Sequence, residues 1–248
     1  MVLGHDAGTA PELQQRAAAG ATEVPQPAAG DFAPYPLFIH LAGQRVAVIG
    51  GGAVAERKVR TLLAHGAHVT VTAPQAIVGI VALARAGRIA WNARPYRVGD
   101  LSGALLAISA TDDRAVNEAV YQEAQVRTIL VNVVDVPDLC TAIVPSIMQR
   151  GRLQIAVSTQ GAAPSVARDI RRGLEQEFPV WWEPYLDLMA EVRVLIKQRV
   201  PGPASVRTPL YEAVAASDMR ERIAAGERPT AAQVYDRIVA PLRKEEAR

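Results

Sequence analysis

Three consecutive glycines, Gly50-Gly51-Gly52, end the apolar run Val46-Ala47-Val48-Ile49 and open a helical pattern from Ala53 to Leu63. A strand, a glycine turn and a helix in that order set a nucleotide pyrophosphate against the positive end of a helix. The spacing gives each small residue a task. Gly50 takes a turn conformation closed to residues with a Cβ, and Gly52 lets the backbone approach a phosphate. Ala55 permits close helix–strand packing. Ala53 and Val54, which open the helix, complete the expected cofactor contacts. The competing reading is a glycine turn that serves packing alone.

Ligands of open α/β sheets lie beyond the carboxyl ends of the strands, so the residues after each apolar run carry the remaining chemistry. Ala73-Pro74-Gln75, Ala110-Thr111-Asp112-Asp113 and Asp135 occupy such positions. The acid that often binds the adenosine ribose is absent after Thr72, which leaves Gln75 or backbone groups for that contact and leaves NAD against NADP open. Asp112 and Asp113 have two readings: caps of a following helix, or, for Thr111 and Asp112, cofactor contacts. Asp135 follows an apolar strand and precedes Pro137, a setting that suits proton transfer or metal contact. His40, His65 and His68 lie outside these loops and support no Ser–His–Asp arrangement. No histidine or cysteine pair has zinc-ligand spacing, so no resident metal is expected. The single Cys140 reads as a small apolar residue rather than a nucleophile, in a chain without disulfides.

The elements that must position these residues are legible in outline. Residues 1–34, rich in Ala, Pro and Gly, read as a flexible extension with one short helix around Glu12 to Ala19. From residue 35 to 141 strands and helices alternate: Val69–Ala73, a helix over Ala76–Ala86, Ile89–Trp91, Leu105–Ser109, a helix from Asp112 to about Gln125, and Ile129–Val134. Nearly continuous apolar strands suit a parallel sheet covered on both faces. The expected fold is therefore α/β, a Rossmann-like doubly wound parallel sheet. Residues 142–178 begin with a hairpin-like pair, Ala142-Ile143-Val144 and Leu153–Ser158, around Arg150-Gly151. Residues 179–248 read as a helical domain. Its stripe Tyr185, Leu188, Met189, Val192, Leu195, Ile196 suits a core or a subunit interface. Net charge is +2 in 248 residues, which gives no drive toward nucleic acid. No apolar run is long enough to span a bilayer and no signal pattern opens the chain, so a cytoplasmic protein is expected.

An ordered set of segments resembles one family closely, the precorrin-2 dehydrogenase/sirohydrochlorin ferrochelatase proteins, which also form the N-terminal module of siroheme synthase. The set comprises Tyr35-Pro36-Leu37-Phe38, Val48 to Lys58, Thr70 to Pro74 and Ala110 to Asp113 with Val116-Asn117. It continues with Asn132-Val133-Val134-Asp135, Leu139-Cys140, Val144-Pro145-Ser146, and Ala156 to Thr159 with Pro164, Ala167 and Arg168. The resemblance covers residues 35 to 175. It implies that precorrin-2, a tetrapyrrole with eight carboxylates, is oxidised by NAD to sirohydrochlorin, and that some members then insert ferrous iron. By the same resemblance Asp135 is the essential carboxylate that accepts protons. Gly50, Gly52, Ala53 and Val54 hold the pyrophosphate; Ala73, Pro74, Gln75, Thr111 and Asp112 lie along the rest of the cofactor. Ser158, Thr159 and Arg168 meet the substrate, and residues 142–178 serve an intertwined homodimer. Gln160 stands where the family often carries glycine.

Three functions remain open at this level. The first is an NAD-dependent dehydrogenase of precorrin-2. The second is a bifunctional enzyme that also inserts iron, and the third a non-catalytic nucleotide- or tetrapyrrole-binding sensor. Retention of Asp135 beside the glycine loop argues against the sensor.

Overall fold

The computed structural model describes residues 33–246. The short helix expected around Glu12 to Ala19 lies outside the described residues. Five apolar runs form parallel strands: β1 (Arg45–Ile49), β2 (His68–Thr72), β3 (Ala90–Asn92), β4 (Leu106–Ser109) and β5 (Leu130–Val133). Their order in the sheet is β3-β2-β1-β4-β5. The chain leaves β1 toward one edge and later returns to β1's other side, so the switch point lies between β1 and β4. That crevice is where such sheets bind ligands.

Both faces of the sheet are covered, which is why its strands are apolar at successive positions. Val46 and Val48 pack with Val59 and Leu62 of helix α1 (Ala53–Ala64) and Ile80 of α2 (Val78–Arg85). The alternate residues Ala47 and Ile49 pack with Val120 and Ala124 of α3 (Arg114–Val126) on the opposite face. The doubly wound Rossmann-like fold expected from the sequence is the fold observed. Helix α3 starts at Arg114, two residues later than the pattern suggested. The Asp113 carboxylate accepts hydrogen bonds from the Ala115 and Val116 N–H groups and so caps the helix from outside it.

The second sheet corrects one expectation. Its hairpin consists of β6 (Ser146–Arg150) and β7 (Leu153–Val157), paired antiparallel from Arg150↔Leu153 to Ser146↔Val157. Ala142-Ile143-Val144 is not the first strand. A two-residue turn with Gly151 at φ +51° joins the strands, and so short a turn forces the pairing to begin at Arg150. Ala142 is tied elsewhere: its N–H donates to Val131 O at 3.0 Å, and Asn132 Nδ2 donates to its carbonyl at 2.9 Å.

Helix α4 (Pro164–Glu177) follows the hairpin, then α5 (Trp182–Arg199), α6 (Ala204–Ala215), α7 (Met219–Ala224) and α8 (Ala231–Val234). A π-helical turn at Tyr235–Val239 leads into α9 (Ala240–Glu246). The α5 stripe Tyr185, Leu188, Val192, Ile196 is buried against Leu210, Val214, Met219, Ile223 and Val234. Its burial lies within one chain, which decides between the two readings of that stripe in favour of a core. Among the described residues no helix is long and apolar enough to cross a membrane.

Candidate functional site

The glycine turn connects β1 to α1, and each glycine meets a different constraint. Gly50 has φ +121°, and a Cβ there would overlap the Ala110 carbonyl oxygen. A Cβ on Gly51 would overlap the Gln75 carbonyl, and the Ile77 N–H donates to Gly51 O at 2.9 Å. Gly52 differs: a Cβ there would meet nothing within 4 Å. Gly52 is also the N-cap of α1, and no side chain caps that helix. The first N–H groups of α1 therefore have no side-chain acceptor. These are the features of a seat for a phosphate, since anions bind at such ends through free N–H groups and the helix dipole. Ala55 is fully buried, as its packing role requires.

The N-terminus of α3 is arranged differently. Its N-terminal groups are taken by Asp113, and Thr111 Oγ1 accepts from the Asp113 N–H at 3.2 Å. The α3 end is thus closed to a phosphate, while Thr111 and Asp112 line a crevice of about 540 Å³ beside α1. Val54 of α1 forms one part of the wall, and Val134, Asp135 and Leu139 form another. Asp135 stands at the tip of the turn after β5, exposed and left-handed at φ +60°. An Arg114–Glu118 ion pair of 2.9 Å flanks the opening.

Two cations near this crevice were not among the site residues expected from the sequence. Lys58 lies one turn after Val54 on α1 and is half-buried. Burial lowers its ammonium below the ordinary lysine range; Arg57 adds to that and Asp135 opposes it. The i, i+4 step from Val54 was the available signal, and Arg114, at the start of α3, had none beyond its place beside Asp113.

The loop after β2 is used internally. Ala73 is buried, its N–H donates to Asn92 O at 3.2 Å, and its carbonyl accepts from Trp91 Nε1 at 3.1 Å. Pro74 and Gln75 are exposed, and Gln75 supports the glycine turn through the carbonyl already described. Ser158, Thr159 and Arg168 lie at the end of β7 and on α4, and none of them lines the crevice. Cys140 is half-buried: its Sγ accepts from the Val133 N–H at 3.2 Å and donates to the Val133 carbonyl at 3.2 Å. Burial pushes its thiol up, which suits a structural residue rather than a nucleophile.

Known proteins resemble this chain along most of its length. Residues 37–146 match the family model described as "Putative NAD(P)-binding", and residues 150–177 match "Sirohaem biosynthesis protein central". The siroheme synthase of Methylobacillus flagellatus is 38% identical over 205 residues, covering 83% of this chain and 44% of that protein. The siroheme synthase of Pseudomonas putida strain W619 is 40% identical over 211 residues, covering 84% and 45%. The solved structure of SirC, precorrin-2 dehydrogenase, superposes with a TM-score of 0.65 at 29% identity, over 75% of this chain and 92% of that one. The chain is similar over most of its length to siroheme synthases and to a precorrin-2 dehydrogenase. It spans a little under half the length of the siroheme synthases it matches, 44% and 45% in the two cases above. The NAD(P)-binding match of residues 37–146 supports a nicotinamide cofactor, and the open end of α1 fits that group.

Proposed function

We propose that this chain oxidises precorrin-2 to sirohydrochlorin with NAD as the electron acceptor. The observation that carries the reading is the placement of Asp135 in one crevice with the open end of α1. Gly50, Gly52, Ala53 and Val54 hold the pyrophosphate there, and Thr111 with Asp112 borders the nicotinamide half. When bound, the nicotinamide supplies the site for the hydride that leaves the macrocycle. Asp135 takes the accompanying proton from the tetrapyrrole, so that one carboxylate becomes a carboxylic acid as one C–H and one second proton are lost. Its exposure at the crevice mouth leaves it free to pass that proton to water.

NAD is proposed over NADP because the loop after β2 offers no countercharge for a 2′-phosphate. Neither an acid for the ribose nor an unpaired arginine for a 2′-phosphate stands at Ala73-Pro74-Gln75. Arg94, which follows β3, is held by Asp100 at 2.6 Å. Preference then comes from the cost of bringing a phosphate dianion to a loop with no countercharge.

The same reading assigns residues 142–178 to a homodimer. The β6–β7 hairpin belongs to a separate sheet, and Ile147, Val166 and Ile170 are exposed on it and on α4. Ser158, Thr159 and Arg168 stand outside the crevice of their own chain, which suits delivery to a partner's crevice, with Arg168 meeting a substrate carboxylate. Sedimentation of an Ile170→Asp variant checks this: a shift from dimer to monomer is expected, and an unchanged dimer removes the assignment.

Anaerobic incubation with precorrin-2 and NAD, followed by absorption spectroscopy, tests the activity. Conversion to sirohydrochlorin is expected, and its absence overturns the reading. NADP in place of NAD tests cofactor choice, and ferrous iron added to sirohydrochlorin decides whether chelation accompanies oxidation.

A further inference from the structure

Between the two walls of the crevice lies a buried amide that the proposed reaction does not use. Asn117 is 5% exposed and sits on α3, one turn after the cap Asp113. Its Oδ1 accepts from Ser109 Oγ at 2.7 Å, and its Nδ2 donates to the Thr111 carbonyl at 3.1 Å. Ser109 ends β4 and is itself buried. The amide thus grips the chain on both sides of Ala110. Its orientation is fixed by chemistry: the Thr111 carbonyl only accepts, so it must face the NH2, whereas the Ser109 hydroxyl is free to donate to the remaining oxygen.

Ala110 is the residue against which the glycine turn closes. Its N–H donates to Ile49 O at 2.7 Å, and its carbonyl occupies the space a Cβ on Gly50 would need. Two independent bonds therefore fix the peptide planes before Ala110 and after Thr111, the first from β1 and the second from Asn117. We propose that Asn117 is the positioning residue for the cofactor site: it holds the Ala110–Asp112 turn so that the Gly50 turn and the crevice wall at Thr111 keep the spacing a dinucleotide needs. Without the clamp the Ala110 carbonyl swings, and the phosphate seat at Gly52 and the wall at Thr111 lose their common frame. Binding tightness, not proton transfer, is the quantity that depends on this frame.

This inference rests on the nicotinamide-cofactor reading. The test is Asn117→Asp, which keeps the shape and the acceptor toward Ser109 but sets a carboxylate against the Thr111 carbonyl. Titration calorimetry with NAD is expected to show at least a tenfold weaker dissociation constant. Sirohydrochlorin binding, followed by absorbance, is expected to stay within twofold. A merely structural role lowers the melting temperature but leaves NAD affinity of the folded protein unchanged, and that result overturns the proposal. Should the variant not fold, Ser109→Ala removes one of the two bonds alone. A threefold or greater weakening of NAD binding is expected there, and an unchanged constant likewise overturns the proposal. Wild-type protein that binds no nicotinamide cofactor removes the cofactor reading itself, an outcome distinct from the failure of Asn117 alone.

Discussion

Gly50 and Ala110 are in backbone contact across the switch point: the carbonyl of Ala110 fills the position where any side chain on residue 50 would begin. The turn proposed to approach the cofactor is thereby also a packing joint between β1 and β4. Gly52, two residues on, touches nothing at its would-be Cβ. The packing demand on the motif thus falls on Gly50 and Gly51, and the proposed phosphate contact on Gly52.

That division is testable with two alanine substitutions. Gly50→Ala forces an L residue to φ +121° and against a carbonyl, so the melting temperature is expected to fall by many degrees, with a cost above the roughly 1–3 kcal/mol of backbone strain alone. Gly52→Ala is expected to leave the melting temperature within a degree or two while weakening NAD binding about tenfold or more. A Gly52→Ala protein that binds NAD as well as wild type shows that no phosphate comes near that residue.

Asp135→Asn separates proton transfer from binding. Asparagine tolerates the left-handed conformation at φ +60° as aspartate does, so the turn is preserved. Loss of the proton acceptor is expected to lower kcat by about 10²- to 10⁴-fold with the NAD dissociation constant unchanged. Full turnover in this variant removes Asp135 from the chemistry.

Gln160 lies at φ +54°, followed by Gly161 at φ +84°, just before α4. A residue with a Cβ held there costs roughly 1–2 kcal/mol, while glycine loses more entropy on folding, about 0.5–1 kcal/mol. The first effect exceeds the second, so Gln160→Gly is expected to stabilise the protein by about 0.5–1 kcal/mol. Denaturant unfolding checks the sign: a loss of stability means that the Gln160 side chain makes a contact worth more than the strain.

Acid sensitivity is expected from Asp100. Arg94, hydrogen-bonded to it at 2.6 and 2.8 Å, holds its carboxyl below the usual range; burial opposes this and the Arg97 N–H assists. A depressed folded value means the contribution is present above the unfolded value of about 4 and is lost as pH falls through the folded value. The stability gap between wild type and Asp100→Asn is therefore expected to narrow as pH falls from about 5 toward 3. A gap constant over that range in thermal unfolding shows that the ion pair is not what Asp100 contributes.

The sheet was legible because its signal is local. Val46 to Ile49 and Leu106 to Ser109 are apolar at successive positions, Gly50 is a conformational requirement, and Asp113 caps the helix that begins next to it. Each of these depends on neighbours within a few residues. The resemblance to siroheme synthases likewise followed from the order and identity of short segments. The hairpin was displaced because Ala142-Ile143-Val144 and Ser146–Arg150 are similarly apolar in part, and only the turn at Gly151 selects between them.

What the sequence by itself determined is the parallel sheet, the glycine turn and the candidate carboxylate, each a matter of local pattern. Tertiary structure alone decided the partners of those residues. It set Ala110 against Gly50, joined Asn117 to Ser109 and Thr111, and gave Ala73 to Trp91 and Asn92. It also placed Ser158, Thr159 and Arg168 outside the crevice of their own chain. The physical reason is range. Periodicity and turn chemistry act between residues close in sequence, whereas a carbonyl filling the space of a missing Cβ, or an amide choosing its two partners, exists only once distant strands are packed.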